Sequence, residues 1–217
     1  MTSQRTSEWF LERKGLFTAS EIWKLMQSGR KKDELFGEGA KTYIREKASE
    51  VLMTDTAYLS YLEEMDFKSY AMQRGIELED EARNTFAERY KKKVDEVGFE
   101  KLNNYSGGSS DGNIFDEKKI IEIKCPNPFT HLDYLSTDNL LEAEPKYYYQ
   151  MQLNMLCWGF KSGYFISYDP RYKGKLDLHV EEVMLDESVA EEMLMRIEEA
   201  GEMRDEMINK IVEKVNK

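Results

Sequence analysis

The sequence is short of the groups that most often carry enzyme chemistry. Among 217 residues there are two cysteines and two histidines. Cys125 and Cys157 cannot supply the four thiolates of an iron–sulfur cluster within one subunit. Both lie in core-like segments and are expected to stay reduced, as thiols do in the cytoplasm. His131 and His179 do not have the spacing of a metal-ligand pair. There is no Gly-x-Ser-x-Gly and no Walker motif, so those routes to hydrolysis lack sequence support. No run approaches the ~18 apolar residues of a membrane helix. The opening MTSQRTSEWFLERKG lacks the apolar core of a signal peptide. A cytoplasmic protein without membrane association is expected. No internal repeat or low-complexity tract stands out.

Net positive charge is missing too. The formal net charge is −11, which speaks against adhesion to nucleic acid by bulk charge. The distribution is uneven. Residues 181–217 hold 12 acids and 5 bases, a net of −7, whereas residues 1–50 hold 10 bases and 8 acids, a net of +2. Any contact with DNA is therefore expected in the N-terminal half or around a pocket, with the C-terminal segment facing elsewhere.

What is present describes a globular chain, 41% hydrophobic and 34% charged. The length suits one ordinary domain with a core, with or without an appendage, and 1–217 is taken as a single domain. Thr18-Ala19-Ser20-Glu21 has the form of a capping box opening a helix to about Gln27. A basic loop, Ser28 to Lys32, follows. Apolar pairs recurring every four residues predict a helix over 40–53, and Leu78, Ala82, Phe86 and Tyr90 share a stripe of a helix over 69–91. Val94–Glu100, Asn113–Phe115 and Ile120–Lys124 look like a three-strand meander, with Asp116–Lys119 as the turn between the last two. Helical patterns return at 129–136 and 145–159. Two more strands, Tyr164–Tyr168 and Leu176–Met184, precede a long helix. Val189, Met193, Ile197, Ala200, Met203, Met207, Ile211 and Val215 form its stripe, which is expected to pack on the core for most of its length. The order implies a mixed α/β fold with helices packed on a central sheet.

One strand carries the chemistry. In Ile-Ile-Glu-Ile-Lys-Cys-Pro (120–126), alternation turns Ile121 and Ile123 toward a core and Glu122 and Lys124 toward the other side. Asp111, in Ser-Ser-Asp-Gly, opens the neighbouring segment. If the two segments pair, both carboxylates converge beside Lys124. Two carboxylates and a backbone carbonyl, that of Ile123, suit Mg²⁺, a hard cation that prefers oxygen. A neighbouring lysine can orient a water and stabilise developing negative charge. Phosphodiester hydrolysis uses these parts. Glu-x-Lys on a strand is equally the pattern of a solvated face with a weak ion pair.

Four further segments bear on that choice: Trp9 to Glu21 (WFLERKGLFTASE), Gly75 to Arg83 (GIELEDEAR), Tyr147 to Leu153 (YYYQMQL) and Tyr168-Asp169-Pro170-Arg171. With SSDG and EIKCP they resemble, in order and spacing, the YqaJ-type viral recombinase family. This is a lambda-exonuclease-like branch of the PD-(D/E)XK nuclease superfamily. The resemblance runs from about residue 8 to about 172. It implies a central mixed β-sheet flanked by helices. It also implies an Mg²⁺-dependent 5′→3′ exonuclease on double-stranded DNA with free, 5′-phosphorylated ends. Such an enzyme digests one strand and leaves 3′ overhangs for phage-type recombination. Mn²⁺ is able to substitute, with one or two ions per site. A homotrimeric ring and a single-strand annealing protein as partner are further implications.

Matched position by position, the resemblance makes Asp111, Glu122 and the Ile123 carbonyl metal ligands, completed by Glu79 on the 69–91 helix. Lys124 stands beside the attacking water, and Gln150 lies on the helix next to the site. Arg13, Ser20 and Ser109 take the terminal 5′-phosphate, and Arg30 contacts DNA. Arg13 offers a fork to phosphate oxygens, and Ser20 lies where free backbone N–H groups favour an anion. Plainer roles exist for each: an exposed helix acid for Glu79, a helix-surface amide for Gln150, an ion pair with Glu8 or Glu12 for Arg13, and a solvated loop for Arg30. The family's proline before the aspartate is Ser110 here, and the Asp111–Glu122 hairpin is one residue longer than in the family's phage prototype. The alternatives are an endonuclease or repair nuclease of the same superfamily, and a catalytically inactive DNA-binding or scaffold protein. The presence of acid, acid, lysine and helical glutamate together speaks against an inert scaffold.

Overall fold

The structure, a computed structural model, describes residues 4–31, 34–65, 70–137 and 139–217. Lys32 of the expected basic loop and Ser69 of the expected 69–91 helix lie outside the described residues. The helices are α1 (Ser7–Arg13), α2 (Glu38–Leu52), α3 (Asp55–Met65), α4 (Tyr70–Tyr90), α5 (Pro128–Leu135), α6 (Leu140–Ala143), α7 (Pro145–Trp158) and α8 (Glu187–Val215). The strands are β1 (Phe17–Thr18), β2 (Glu100–Lys101), β3 (Ser106–Gly108), β4 (Gly112–Ile114), β5 (Lys119–Lys124), β6 (Ser162–Tyr168) and β7 (Leu178–Met184).

Local chemistry sets several boundaries. The Asn127 side chain caps α5 by accepting from Thr130 N, and Pro128 follows at its first turn. Pro145 likewise opens α7, which ends at Gly159 with φ +64°. Asp186 caps α8 by accepting from Ser188 N and Val189 N.

Two sheets form. The larger has the order β4-β5-β6-β7, with β5 and β6 parallel and both outer pairs antiparallel. The β5–β6 connection runs through α5, α6 and α7, as a parallel pair requires. α4 covers one face, where Ile121 and Ile123 pack with Ala82, Phe86, Ile166 and Tyr168. α7 covers the other, where Ile120 packs with Met151, Met155 and Phe165. Each fully buried isoleucine stabilises the sheet by about 1.5–3 kcal/mol. A third cluster joins Phe17, Ile22, Tyr43, Ile44 and Leu153 to Met193, Ile197 and Ala200 of α8.

The smaller sheet, order β1-β3-β2, corrects the expected meander. Among the described residues Val94–Glu100 contributes a single bridge, Asp95 to Asn113, to the larger sheet, and its end enters β2. Asn103 explains the departure: its Oδ1 accepts from Tyr105 N and Ser106 N, and this turn folds β3 back on β2. The expected capping box is also corrected. Residues Ala19–Lys24 form a 3₁₀ helix, and the Thr18 side chain makes no capping bond. Thr18 Oγ1 lies 3.4 Å from Ser20 Oγ, while Glu21 is drawn to Lys24 at 2.6 Å. Finally, the buried face of α8 stops at Arg204, whose guanidinium donates to the Gly15 carbonyl at 2.6 Å. Past it Ile211, Val212 and Val215 are exposed, so the core takes only the first part of the stripe.

Candidate active site

Alternation along β5 decides which side chains meet. Glu122 points away from the isoleucine core toward α7 and is 0% exposed. One of its oxygens, Oε1, accepts from Lys124 Nζ at 2.5 Å and from Gln150 Nε2 at 2.5 Å. The other, Oε2, accepts from Asn154 Nδ2 at 3.3 Å. Gln150 and Asn154 lie one turn apart on α7, so both amides face the same carboxylate. A fully buried acid held this way is not the solvated face that a Glu-x-Lys pattern also permits. Gln150 is likewise buried rather than a helix-surface amide. The Lys124 ammonium lies 4.7 Å from the centre of the Tyr147 ring.

Asp111 meets the strand from its edge. β4 ends beside Ile121, where Asp111 N donates to the Ile121 carbonyl at 3.0 Å. The Ile123 N–H, beyond the last β4 partner, donates to Asp111 Oδ2 at 2.7 Å. The same alternation directs the Ile123 carbonyl to this open edge. Glu79, from α4, sits between two guanidiniums: Arg5 Nη2 at 2.5 Å and Arg83 Nη2 at 3.0 Å. Arg83 also donates through Nε to the Asp111 carbonyl at 3.0 Å, tying α4 to the start of β4. Gln4, next to Arg5, donates to the Ser110 carbonyl at 2.8 Å. Glu79 is therefore an ion-paired, largely covered acid and not an exposed one.

The electrostatics link these acids. Burial, then the charges of Asp111 and Glu79, push Glu122 up to about 8, although Lys124 pulls the other way. Burial and Asp111 also raise Glu79. Burial opposes the Lys124 ammonium, but Glu122 and Asp111 outweigh it and hold the amine above its ordinary value. The three acids thus repel one another through oxygen-bearing groups only, a chemistry that a hard cation such as Mg²⁺ would fit. Among the described residues no three His, Cys, Asp or Glu side chains already converge on one point. Asp111 is engaged with the Ile123 N–H, and Glu79 with Arg5 and Arg83.

The smaller sheet assembles a second group. β1 and β3 run parallel with Thr18 opposite Gly107, so Ser20 and Ser109 follow the same ends of neighbouring strands. The Trp9 indole N–H donates to Ser109 Oγ at 3.0 Å, and the Arg13 guanidinium stacks 3.8 Å over the Trp9 ring. Among the described residues no carboxylate lies within ion-pair distance of Arg13, and burial lowers its pKa. The expected alternative, an ion pair with Glu8 or Glu12, is absent among the described residues. Arg30 is exposed on its loop and is not brought to either group.

Asn154, Arg5 and Arg83 were not candidates from the sequence. A signal for Asn154 exists in hindsight: Gln150, Gln152 and Asn154 alternate with Met151, Leu153 and Met155, and all six are buried. Gln152 is satisfied elsewhere, donating to the Met184 carbonyl and accepting from Asp186 N.

A mixed sheet whose inner strand sets Glu122 and Lys124 beside Asp111, with helices on both faces, defines the PD-(D/E)XK type of α/β fold. Comparison with known proteins narrows this. Residues 8–163 match the YqaJ-like viral recombinase domain, and the chain belongs to that family. Among solved structures it is similar to the alkaline exonuclease LHK-Exo of Laribacter hongkongensis, with 28% identity and a TM-score of 0.83 over 97% of this chain and 98% of that one. LHK-Exo in complex with dAMP matches equally. A phage-related exonuclease of Haemophilus somnus 129PT shares the fold at 17% identity, with a TM-score of 0.72 over 90% of this chain and 96% of that one. No curated protein matches the chain.

Proposed function

We propose that the chain, acting as one domain over 1–217, is an Mg²⁺-dependent 5′→3′ exonuclease on double-stranded DNA. It digests one strand from a 5′-phosphorylated end and leaves a 3′ overhang for recombination by strand annealing. The observation that carries this reading is the fully buried Glu122, held by Lys124 and Gln150 with Asp111 at the strand edge. A structural ion pair would not require two further carboxylates crowding it.

Asp111, Glu122, Glu79 and the Ile123 carbonyl would hold the metal. Bound there, the ion would neutralise phosphate charge and make a coordinated water more acidic. Lys124 then has two tasks: it fixes the Glu122 carboxylate and offers its remaining N–H donors to the attacking water and the phosphate oxygens. Gln150 keeps Glu122 in one rotamer. Arg13, a half-buried cation with no carboxylate in ion-pair distance among the described residues, takes the terminal 5′-phosphate with the Ser20 and Ser109 hydroxyls. Arg30 on its exposed loop would contact the duplex. The viral recombinase domain supports a phage or prophage origin; a cytoplasmic setting, a homotrimeric ring around DNA and a single-strand annealing partner complete the proposal.

End-labelled linear duplex and covalently closed circular duplex, each with Mg²⁺, Mn²⁺ or EDTA, test the reading. Label loss from the 5′ end of the linear substrate alone, abolished by EDTA, is the expected result. Cleavage of the closed circle favours an endonuclease of the same superfamily. No cleavage of either substrate overturns the nuclease reading.

A further inference from the structure

We propose that Asn154 is a positioning residue that joins the seat of the terminal phosphate to the carboxylate of Glu122; the inference rests on the exonuclease reading above. Asn154 is 0% exposed, and its Nδ2 donates to two acceptors, the Ser109 carbonyl at 3.4 Å and Glu122 Oε2 at 3.3 Å. Ser109 in turn receives the Trp9 indole on which Arg13 stacks. Arg13, Trp9, Ser109, Asn154 and Glu122 form one continuous path from the stacked guanidinium to the buried acid.

Two features set Asn154 apart from a core amide. Its orientation is forced, because a flipped amide would set its oxygen against the Ser109 carbonyl, which can only accept. In that orientation Oδ1 is buried with no hydrogen-bond partner among the described residues. An unpaired buried acceptor is destabilising, and an apolar side chain like those of Leu153 and Met155 would avoid it. Gly108 is fitted to the same amide: a Cβ there would lie 2.1 Å from Asn154 Oδ1. Each acceptor faces one of the two N–H groups of the amide, and both contacts are long and therefore easily loosened. A shift of the Ser109 main chain as a phosphate docks changes the hold on Glu122, and the end that is bound thereby influences the group that reacts.

The test compares digestion of linear duplex carrying a 5′-phosphate or a 5′-hydroxyl by the wild type, Asn154→Ala and Asn154→Ser. Binding of both ends is followed by fluorescence anisotropy in EDTA, and thermal melting of each protein is recorded. The wild type is expected to prefer the phosphate. Loss of one hydrogen bond to a charged acceptor reduces that preference about tenfold in both variants. Binding of the phosphorylated end and the melting temperature of Asn154→Ser stay near those of the wild type. A phosphate-to-hydroxyl ratio unchanged in the variants overturns the proposal, even where the overall rate drops, because a packing role lowers both rates alike. A wild type that digests both ends equally also overturns it. A wild type that digests neither overturns the nuclease reading itself.

Discussion

Removing the charge of Glu122 should make the metal-free protein more resistant to alkaline pH. Burial, then the neighbouring charges of Asp111 and Glu79, raise this carboxyl from 4.5 to about 8. An acid that binds its proton more tightly when folded loses stability as pH rises from about 4.5, and the loss is complete above about 8. Each unit of separation is worth about 1.4 kcal/mol, so the penalty grows by about 4 kcal/mol between pH 5 and pH 9. Glu122→Gln has no proton to release and escapes it. The attraction of Lys124 for the Glu122 carboxylate already acts on the raised value, so its loss in the variant adds no separate pH dependence. The expected outcome is therefore a widening gap and not a uniform gain. Urea denaturation in EDTA at pH 5 and pH 9 should show the difference between variant and wild type moving toward the variant by about 4 kcal/mol. Millimolar Mg²⁺ should restore the wild type at pH 9, since a cation that binds only the folded state stabilises it by mass action. A gap that is flat with pH, or that moves toward the wild type, refutes the placement of three mutually repelling acids around the site.

Two other outcomes follow from the same geometry. Lys124→Ala should lower digestion of linear duplex by about a hundredfold or more while leaving DNA binding intact by gel shift, because only the reacting groups lose a donor. Arg5→Gln releases Glu79 from one of its two guanidiniums. Because Arg5 is partly exposed, the pair is worth at most about 1 kcal/mol. Titration calorimetry should then show Mg²⁺ binding up to about fivefold tighter, and unchanged or weaker binding would mean that Glu79 stays away from the metal.

The sequence carried the central part of this site because a strand declares its own faces. Two isoleucines and a Glu-Lys pair in alternation located Glu122 and Lys124, and the helices α4 and α7 were legible, though not which faces of that strand they cover. The smaller sheet was not legible. Ser106, Gly107 and Gly108 have no apolar side chain to announce a strand, and Phe17 pairs with Ser106 across a wide gap in the chain. α1 was hidden by its seven-residue length. Asp111 was nameable but its bond to the Ile123 N–H was not, since it depends on where β4 begins. Asn154 was hidden because a buried amide looks like any polar helix residue until its acceptors are known. Arg5 and Arg83 were invisible for a related reason: their value lies in which acid they reach.

The position of Asp111 just ahead of β4 bears on how an inactive form of this protein should be made. The last part of β5 is a strand edge, and its Ile123 N–H is taken by a carboxylate instead of by another strand. A negative charge on an open edge also turns away a second chain that would pair there. Asp111→Ala would remove a proposed ligand and unguard the edge in the same step, inviting self-association that mimics a change of assembly. Lys124→Ala leaves that guard in place. It is the better choice where a stalled complex with DNA is wanted and the number of subunits is the quantity being measured.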